Sequence, residues 1–276
     1  MISLFKNFIK KNIPSRYLEF FSYKAISITK IPDDNRAVIS DLFILRLEDG
    51  WETYFECIKF NNIFNPNEKV NQQRVVFCFY KKTGEYILER EVKLSNSIKT
   101  TLNINHLVDG LNLKEDCLFA IFHPQKKYWI RKYNSFLAER GYIGYANPNL
   151  GKIKGFVHGN LDAIARNTSR KEDQLLGNFS FLKKEYRLQH ILVKGNTYEL
   201  FIVNPTNKKQ EIKIIQKTSR SSKETIKKIP SRGFFKHCIK VNKKDEKNNV
   251  SIESSLYLAR PVVFKIMCSS FDVFHG

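Results

Sequence analysis

The sequence lacks the short motifs that mark the common catalytic and nucleic-acid-binding sites. It has no nucleophile-elbow GxSxG, no P-loop, no GxGxxG dinucleotide fingerprint and no HxH or HExxH metal motif. It also has no zinc-finger, helix-turn-helix or aromatic RNA-stacking signature. These absences argue against nucleotide chemistry, serine hydrolysis and a nucleic-acid partner, so the function has to be inferred from architecture.

Long apolar runs are also absent. No stretch of about 20 apolar residues occurs, so we expect no transmembrane helix. Residues 1–11 lack the apolar run of about 7–15 residues that a secretory signal peptide needs. Within them Leu4, Phe5, Phe8 and Ile9 share one helical face. We interpret this segment as a short helix that docks on its own domain, with weak contact to a membrane surface as the alternative.

Cysteine is scarce, and its pattern shows no pairing. Five cysteines are present, an odd number, and none forms a CxxC pair. Four of the five lie in apolar strand patterns, where a free cysteine behaves as a small hydrophobic residue. The sequence therefore predicts free thiols and a reducing, cytoplasmic location, with neither a disulfide framework nor a zinc site.

Helical periodicity is rare, whereas short alternating apolar segments recur between clusters of Asn, Gly, Pro and Ser. The 22 Phe and 12 Tyr residues suit strands. This pattern predicts an all-β fold of two tandem antiparallel β-sandwich domains, immunoglobulin-like or jelly-roll-like, after a short helical lead-in. The predicted boundaries are 1–35 for the lead-in, 36–165 for domain 1, 166–178 for a polar linker and 179–276 for domain 2.

The same landmarks recur in the same order in both halves. A turn at Asn65-Pro66 and another at Asn204-Pro205 each follow an apolar segment, and His158-Gly159 and His275-Gly276 close the two halves. We interpret the recurrence as a duplicated domain; the alternative is that any two β-rich halves share turns and alternation. The tandem pattern resembles accessory β-sandwich proteins associated with bacterial glycans, which is a likeness of fold and not of function.

The formal net charge is +20, and half of the excess lies in one stretch. Residues 206–249 hold 12 Lys and 2 Arg against 4 acidic residues, a difference of +10. Because these lysines alternate with apolar residues, as in Ile212-Lys213-Ile214, they are typical of the solvated face of a half-buried sheet. The alternative is a polyanion-binding surface on the second domain.

Three histidines are candidates for a site. His158, with the nearby Asn160, and His275 stand beside glycines that permit close backbone approach. His190 precedes the first strong strand pattern of the second domain. The alternative is a structural role, in which these histidines only fix the domain ends. An enzyme would combine them with Asp41 and Asp272, and possibly with zinc or iron, if the domain ends meet.

A second candidate lies between residues 139 and 145. Glu139 and Arg140 form a charged pair, and Tyr142 and Tyr145 alternate with glycines. Aromatic rings and planar polar groups in this combination are typical of sugar-binding surfaces, where rings stack on sugar faces and polar groups bind hydroxyls. The alternative is a strand with tyrosines packed at its edges.

Taken together, these patterns favour a non-enzymatic tandem β-sandwich binding or scaffold protein with a glycan ligand. The alternatives are an enzyme with a His/carboxylate site between the domains and a polyanion-binding protein. No catalytic residue, cofactor or metal is predicted. The predicted ligand-binding residues are His158, Asn160, Glu139, Arg140, Tyr142, Tyr145, His190 and His275.

Overall fold

The chain is built from antiparallel strands, as a computed structural model shows. The structure describes residues 37–58, 74–95, 97–122, 129–130, 135–136, 141–151, 154–158, 163–167, 172–175, 179–205, 208–219, 221–241, 248–256 and 261–276. The predicted helical lead-in, including the segment 1–11, lies outside these residues. Within them the regular structure is strand, apart from three short 3-10 turns at Glu48–Gly50, Asn105–Val108 and Pro148–Leu150.

In chain order the strands are β1 Ala37–Asp41, β2 Phe43–Leu45, β3 Glu52–Ile58, β4 Arg74–Tyr80, β5 Tyr86–Lys93, β6 Lys99–Asn103, β7 Cys117–Phe122, β8 Trp129–Ile130, β9 Ser135–Phe136, β10 Tyr142–Ala146, β11 Gly155–His158, β12 Ala163–Asn167, β13 Glu172–Leu175, β14 Phe179–Arg187, β15 Thr197–Val203, β16 Gln210–Thr218, β17 Ser222–Ile229, β18 Phe234–Lys240, β19 Asn248–Leu256, β20 Val262–Ile266 and β21 Phe271–His275.

Four four-stranded antiparallel sheets form two sandwiches, which confirms the predicted fold class. The first sandwich has a back sheet of order β2-β7-β4-β5 and a front sheet of order β11-β10-β3-β6. The second has a back sheet of order β14-β19-β16-β17 and a front sheet of order β21-β20-β15-β18. Two smaller sheets, β1-β12-β13 and β8-β9, accompany them.

The predicted linker, residues 166–178, contains strand. Arg166 and Asn167 end β12, and Glu172–Leu175 forms β13, which pairs with β12 beside β1. The sequence of β13, Glu-Asp-Gln-Leu, has no apolar alternation that would identify a strand. The polar composition that predicted a linker is therefore also compatible with pairing in this small sheet.

The two sandwiches have the same strand order. We match β2–β7 with β14–β19, and β10–β11 with β20–β21, in chain order. The two back sheets then have the same strand order, and so do the two front sheets. The register agrees as well. His158 lies opposite Tyr142, the first residue of β10, and His275 lies opposite Val262, the first residue of β20. The two histidines whose recurrence was noted in the sequence thus occupy equivalent backbone positions.

The first core is rich in phenylalanine. Strand β3 alternates, so Thr53, Phe55 and Cys57 are buried between the sheets. The ring of Phe55 packs edge-on against Phe43 and Phe119 of the back sheet, with ring centroids 4.9 and 5.9 Å apart. Burial of each such ring contributes about 1.5–3 kcal/mol, so this cluster supplies much of the stability of the first sandwich.

The front sheet of the second sandwich is buried on both faces. Along β15, Leu200 and Ile202 pack into the second core. Phe201 and Val203 point the other way and pack into the cluster that also contains the buried residues of the first sandwich. The edge strands β11 and β21 also contact each other, and a Cβ built on Gly155 would lie 2.6 Å from Val273 Cγ1. The two sandwiches are therefore joined by a packed interface.

The five cysteines differ in burial. All five are free thiols; Cys57, Cys78 and Cys117 are buried, whereas Cys238 and Cys268 are exposed. None of the described segments forms a helix with the length and apolarity needed to cross a bilayer.

Candidate functional site

The outer face of the first front sheet is open and carries aromatic residues. Because strand side chains alternate, Tyr54 and Glu56 of β3 point away from the core that Phe55 fills. The register places Gly144 opposite Tyr54 and Tyr142 opposite Glu56. We call this surface the open face; its outward positions are Tyr54, Glu56, Thr101, Tyr142, Gly144 and Phe156.

Phe156 lies over a glycine. The two residues are opposite each other in the β10–β11 ladder, and a Cβ on Gly144 would lie only 2.5 Å from Phe156 Cε1. The ring therefore occupies the space that a side chain at Gly144 would fill, yet Phe156 remains 42% exposed. A ring supported by backbone on one side and open to solvent on the other is a fixed stacking surface.

Two tyrosines flank this ring with different surroundings. Tyr142 is 38% exposed. The Tyr54 hydroxyl donates a hydrogen bond to Glu52 Oε2 at 2.5 Å, and this bond, with burial and the Glu52 charge, raises the pKa of Tyr54 to about 12. The Lys154 ammonium lies 3.5 Å from the centre of the Tyr54 ring, a cation–π contact. Tyr142 and Phe156 thus supply most of the exposed aromatic surface.

A carboxylate of fixed orientation lies beside these rings. Glu56 Oε1 accepts hydrogen bonds from Lys99 Nζ at 2.9 Å and from Thr101 Oγ1 at 3.4 Å. Since Glu56 is opposite Tyr142, polar donors and acceptors are next to an exposed ring. Such a pair can bind a hydroxyl-rich ligand, the ring contacting its apolar face and the carboxylate accepting hydrogen bonds from its hydroxyls.

The equivalent face of the second front sheet has the opposite character. Phe264 stands where Gly144 stands and Val262 where Tyr142 stands, as the matched registers show. Both residues are buried in the core shared with the first sandwich. An apolar face covered by protein in one sandwich thus corresponds to a polar and aromatic face open to solvent in the other.

A buried charge cluster joins the sandwiches away from the open face. Arg46 is fully buried, and its Nη1 lies 2.8 Å from Glu199 Oε2. Its Nε lies 3.1 Å from Asp116 Oδ2, in ion-pair contact without the alignment of a hydrogen bond. Lys236 Nζ lies 2.5 Å from Glu48 Oε2 and 3.5 Å from Glu199 Oε1. We call these five residues the junction cluster.

The junction cluster shifts the pKa values of its rim residues. Burial alone would raise the pKa of Glu48, but the hydrogen bond and charge of Lys236 outweigh it, so the pKa is lowered. Burial likewise opposes the charge of Lys236, yet the bond to Glu48 and the charge of Glu199 raise its pKa. Both residues stay charged at neutral pH, which is the behaviour of a structural ion network and not of a proton-transfer site.

Tyr145 was predicted to bind ligand, and the structure corrects this. Tyr145 is fully buried, its hydroxyl donates to the Ile44 carbonyl at 2.8 Å, and its ring packs against Phe264 at 4.7 Å. Its neighbour Trp51 is also buried and contacts the Arg46 guanidinium, 4.6 Å from the ring centre. Tyr142 and Tyr145 are three residues apart in one strand, so they point to opposite faces and cannot form one platform.

The enzyme alternative needs its histidines to lie together, and the two whose side chains are described, His190 and His275, do not. The His190 ring packs at a tilt against Phe274, with an interplanar angle of 59° and ring centroids 4.4 Å apart, on the side of the second core. His275 shares the opposite face of β21 with Val273, which packs into the first core. Asp272, in the same strand, is exposed. His190 and His275 are therefore on opposite faces of one sheet.

Other predicted residues cannot be placed. His158 contributes its backbone to β11, but its side chain, like that of Asp41, lies outside the described set, as do the whole of Glu139, Arg140 and Asn160. Within the described part of the chain, no group of three His, Cys, Asp or Glu residues could hold a metal ion.

A groove of about 200 Å³ beside the junction is lined by Lys81, Lys82, Lys114 and Cys117, among others. Burial, followed by the charges of Asp116 and Glu115, raises the pKa of Cys117 to about 12. The thiol therefore stays protonated at neutral pH and is not an activated nucleophile. This separates the groove from cysteine-based catalysis.

Sequence reasoning missed Tyr54, Glu56 and Phe156 as members of the site. Alternation along Glu52–Ile58 indicates which residues point outward, but only the pairing with β10 and β11 brings them beside Tyr142. Comparisons with known proteins add no assignment, since the sequence matches no protein-family model and no curated protein.

Proposed function

We propose that the protein is a non-enzymatic binding or scaffold protein that holds a glycan on its open face. The observation that carries the proposal is the Phe156 ring, fixed over Gly144 and 42% exposed, beside Tyr142 and the hydrogen-bonded Glu56. Sugars present flat apolar faces edged by hydroxyls, and this combination of rings and oriented polar groups is complementary to them.

The charges of the open face favour a neutral glycan. Glu56 is paired with Lys99, Glu52 accepts from Tyr54, and Lys154 lies on the Tyr54 ring. Each charge thus has a partner on the face, and a strongly charged ligand would have to displace one of them.

We also propose that the two sandwiches arose by duplication, which their common strand order supports. We propose further that the protein acts in the cytoplasm, which the five free thiols support.

The enzyme alternative gains no support from the positions of His190 and His275, because they lie on opposite faces of a sheet. The polyanion alternative depends on exposed lysines of the second sandwich, such as Lys227 and Lys228 in β17. Heparin binding in parallel with the glycan assay separates that alternative, because the lysines and the open face are on different sandwiches.

A glycan array tests the proposal. The parent should retain at least one class of neutral oligosaccharide, and Phe156→Ala or Tyr142→Ala should lower the apparent affinity by about tenfold through the loss of stacking. Tyr86→Ala is the matched control, because Tyr86 is 48% exposed but lies in the back sheet. This variant should bind glycan like the parent. If no glycan is retained, or if the open-face variants bind as the parent does, the proposal is wrong.

A further inference from the structure

The loop between β14 and β15 holds two aliphatic side chains in solvent. Ile191 is 59% exposed and Val193 is 51% exposed, whereas Leu192 between them is buried. The backbone is anchored, since Leu192 N donates to Asn248 O at 3.1 Å and Val193 N donates to the Tyr198 hydroxyl at 2.8 Å. The loop therefore presents both aliphatic side chains on a fixed support.

The corresponding loop of the first sandwich is an interface element. It joins β2 to β3, and its residues Arg46 and Trp51 are buried against the second front sheet. By the matched strand order, the β14–β15 loop occupies the same end of the second sandwich. In the first sandwich this end docks on an apolar surface, and in the second it carries exposed aliphatic residues.

Exposed lysines lie at the same end of the second sandwich as the two aliphatic residues. Lys194 belongs to the loop, and Lys240 pairs with Thr197 at its end. Leu192 bonds to Asn248, which pairs with Thr218, so the end of β16 with Lys217 and the start of β17 with Lys223 are at the same end. We call Ile191, Val193 and these four lysines the basic tip.

We propose that the basic tip docks on a membrane surface that contains anionic lipids. Ammonium groups would lie among the lipid headgroups while Ile191 and Val193 enter the boundary with the acyl chains. Charge complementarity alone would also allow a soluble polyanion, but such a partner would leave both aliphatic side chains in water. The open face, the other candidate binding surface, belongs to the first sandwich, so this docking is independent of glycan binding.

Vesicle co-sedimentation tests the inference on the full chain. The parent should sediment with phosphatidylcholine vesicles that contain roughly 30% phosphatidylserine and not with phosphatidylcholine alone. The double variant Ile191→Ser/Val193→Ser should bind at least about tenfold more weakly, because it removes most of the inserted apolar surface. Lys194→Glu/Lys240→Glu should weaken binding and reduce its salt dependence between about 0.05 and about 0.5 M. Ile226→Ser is the matched control, since Ile226 is 58% exposed in the middle of β17.

Several outcomes would overturn the inference. Equal binding to vesicles with and without anionic lipid would remove the role of the lysines. Unchanged vesicle binding by the Ile191→Ser/Val193→Ser variant would remove the role of the aliphatic pair. If heparin also binds the parent and this variant equally well, the tip is a soluble-polyanion site. A parent that is dimeric by sedimentation velocity, and monomeric as the double variant, would assign the tip to a second copy of the chain. Phe156→Ala should bind vesicles like the parent, which separates this result from the glycan proposal.

Discussion

Arg46 and Glu199 are 153 residues apart in the chain, yet their side chains meet at 2.8 Å in the interior. Arg46 directly follows β2 in the first sandwich, and Glu199 lies in β15 of the second. The guanidinium also lies 4.6 Å from the centre of the Phe264 ring. One side chain thus links the two sandwiches by charge and by aromatic packing, so their relative position depends on it.

Arg46→Met should destabilise the protein strongly. The substitution keeps much of the side-chain volume but leaves the buried carboxylate of Asp116 without its arginine, and breaking a buried ion pair in this way costs about 3–5 kcal/mol. Urea denaturation measures the loss. Arg74→Met is the control, because Arg74 pairs with Glu91 at the surface, where such pairs contribute about 0–1 kcal/mol. Equal losses for the two variants would show that the junction cluster does not support the fold.

The stability of the junction should fall in acid. The pKa of Glu48 is below its ordinary value of 4.5, because the bond and charge of Lys236 outweigh burial. The folded protein thus binds this proton more weakly than the unfolded chain. The contribution of Glu48 is therefore complete above its ordinary pKa and is lost as the pH falls through the lowered value. The free energy of unfolding should be measured for the parent and for Glu48→Gln from about pH 7 to about pH 3, and the difference between the two should shrink as the pH falls. A constant difference between the two would contradict this assignment.

The fold was predictable because its signal is local. Alternation identifies strands such as Glu52–Ile58, and Asn-Pro and glycine turns separate them, so the all-β class follows from neighbouring residues. The junction cluster was not predictable, since Arg46, Asp116 and Glu199 belong to distant segments that meet only after the sheets pair. Strand β13 was missed for a different reason: its polar sequence has no alternation to detect.

Gly155→Ala should disturb the contact between β11 and β21. The new Cβ would lie 2.6 Å from Val273 Cγ1, and overpacking of this kind costs about 1–3 kcal/mol. The double variant Gly155→Ala/Val273→Ala restores space, so it should be more stable than the sum of the two single losses predicts. Thermal unfolding of the four proteins gives the coupling. Additive losses would mean that β11 and β21 are not in close contact at Gly155 and Val273.

The candidate site was predictable only in part. Tyr142 was recognised from its aromatic and glycine-rich surroundings, and it is exposed. Tyr145 in the same strand could have been excluded, because residues three apart in a strand point to opposite faces. Glu56 could not have been assigned, since the ladder that brings it beside Tyr142 joins segments far apart in the sequence. Phe156 is close to Gly144 in the sequence, but its place over the glycine depends on the register of the β10–β11 ladder.

Hydroxyl-radical footprinting with a retained neutral oligosaccharide tests the central claim, that the open face holds the glycan, most directly. Oxidation should fall at Tyr142 and Phe156 when the oligosaccharide is added, because both side chains are exposed in the free protein and would be covered in the complex. Tyr86 and Ile226, exposed elsewhere, should be oxidised equally with and without it. Protection at His190 or His275 with none at Tyr142 and Phe156 would contradict the account and move the site to the second front sheet.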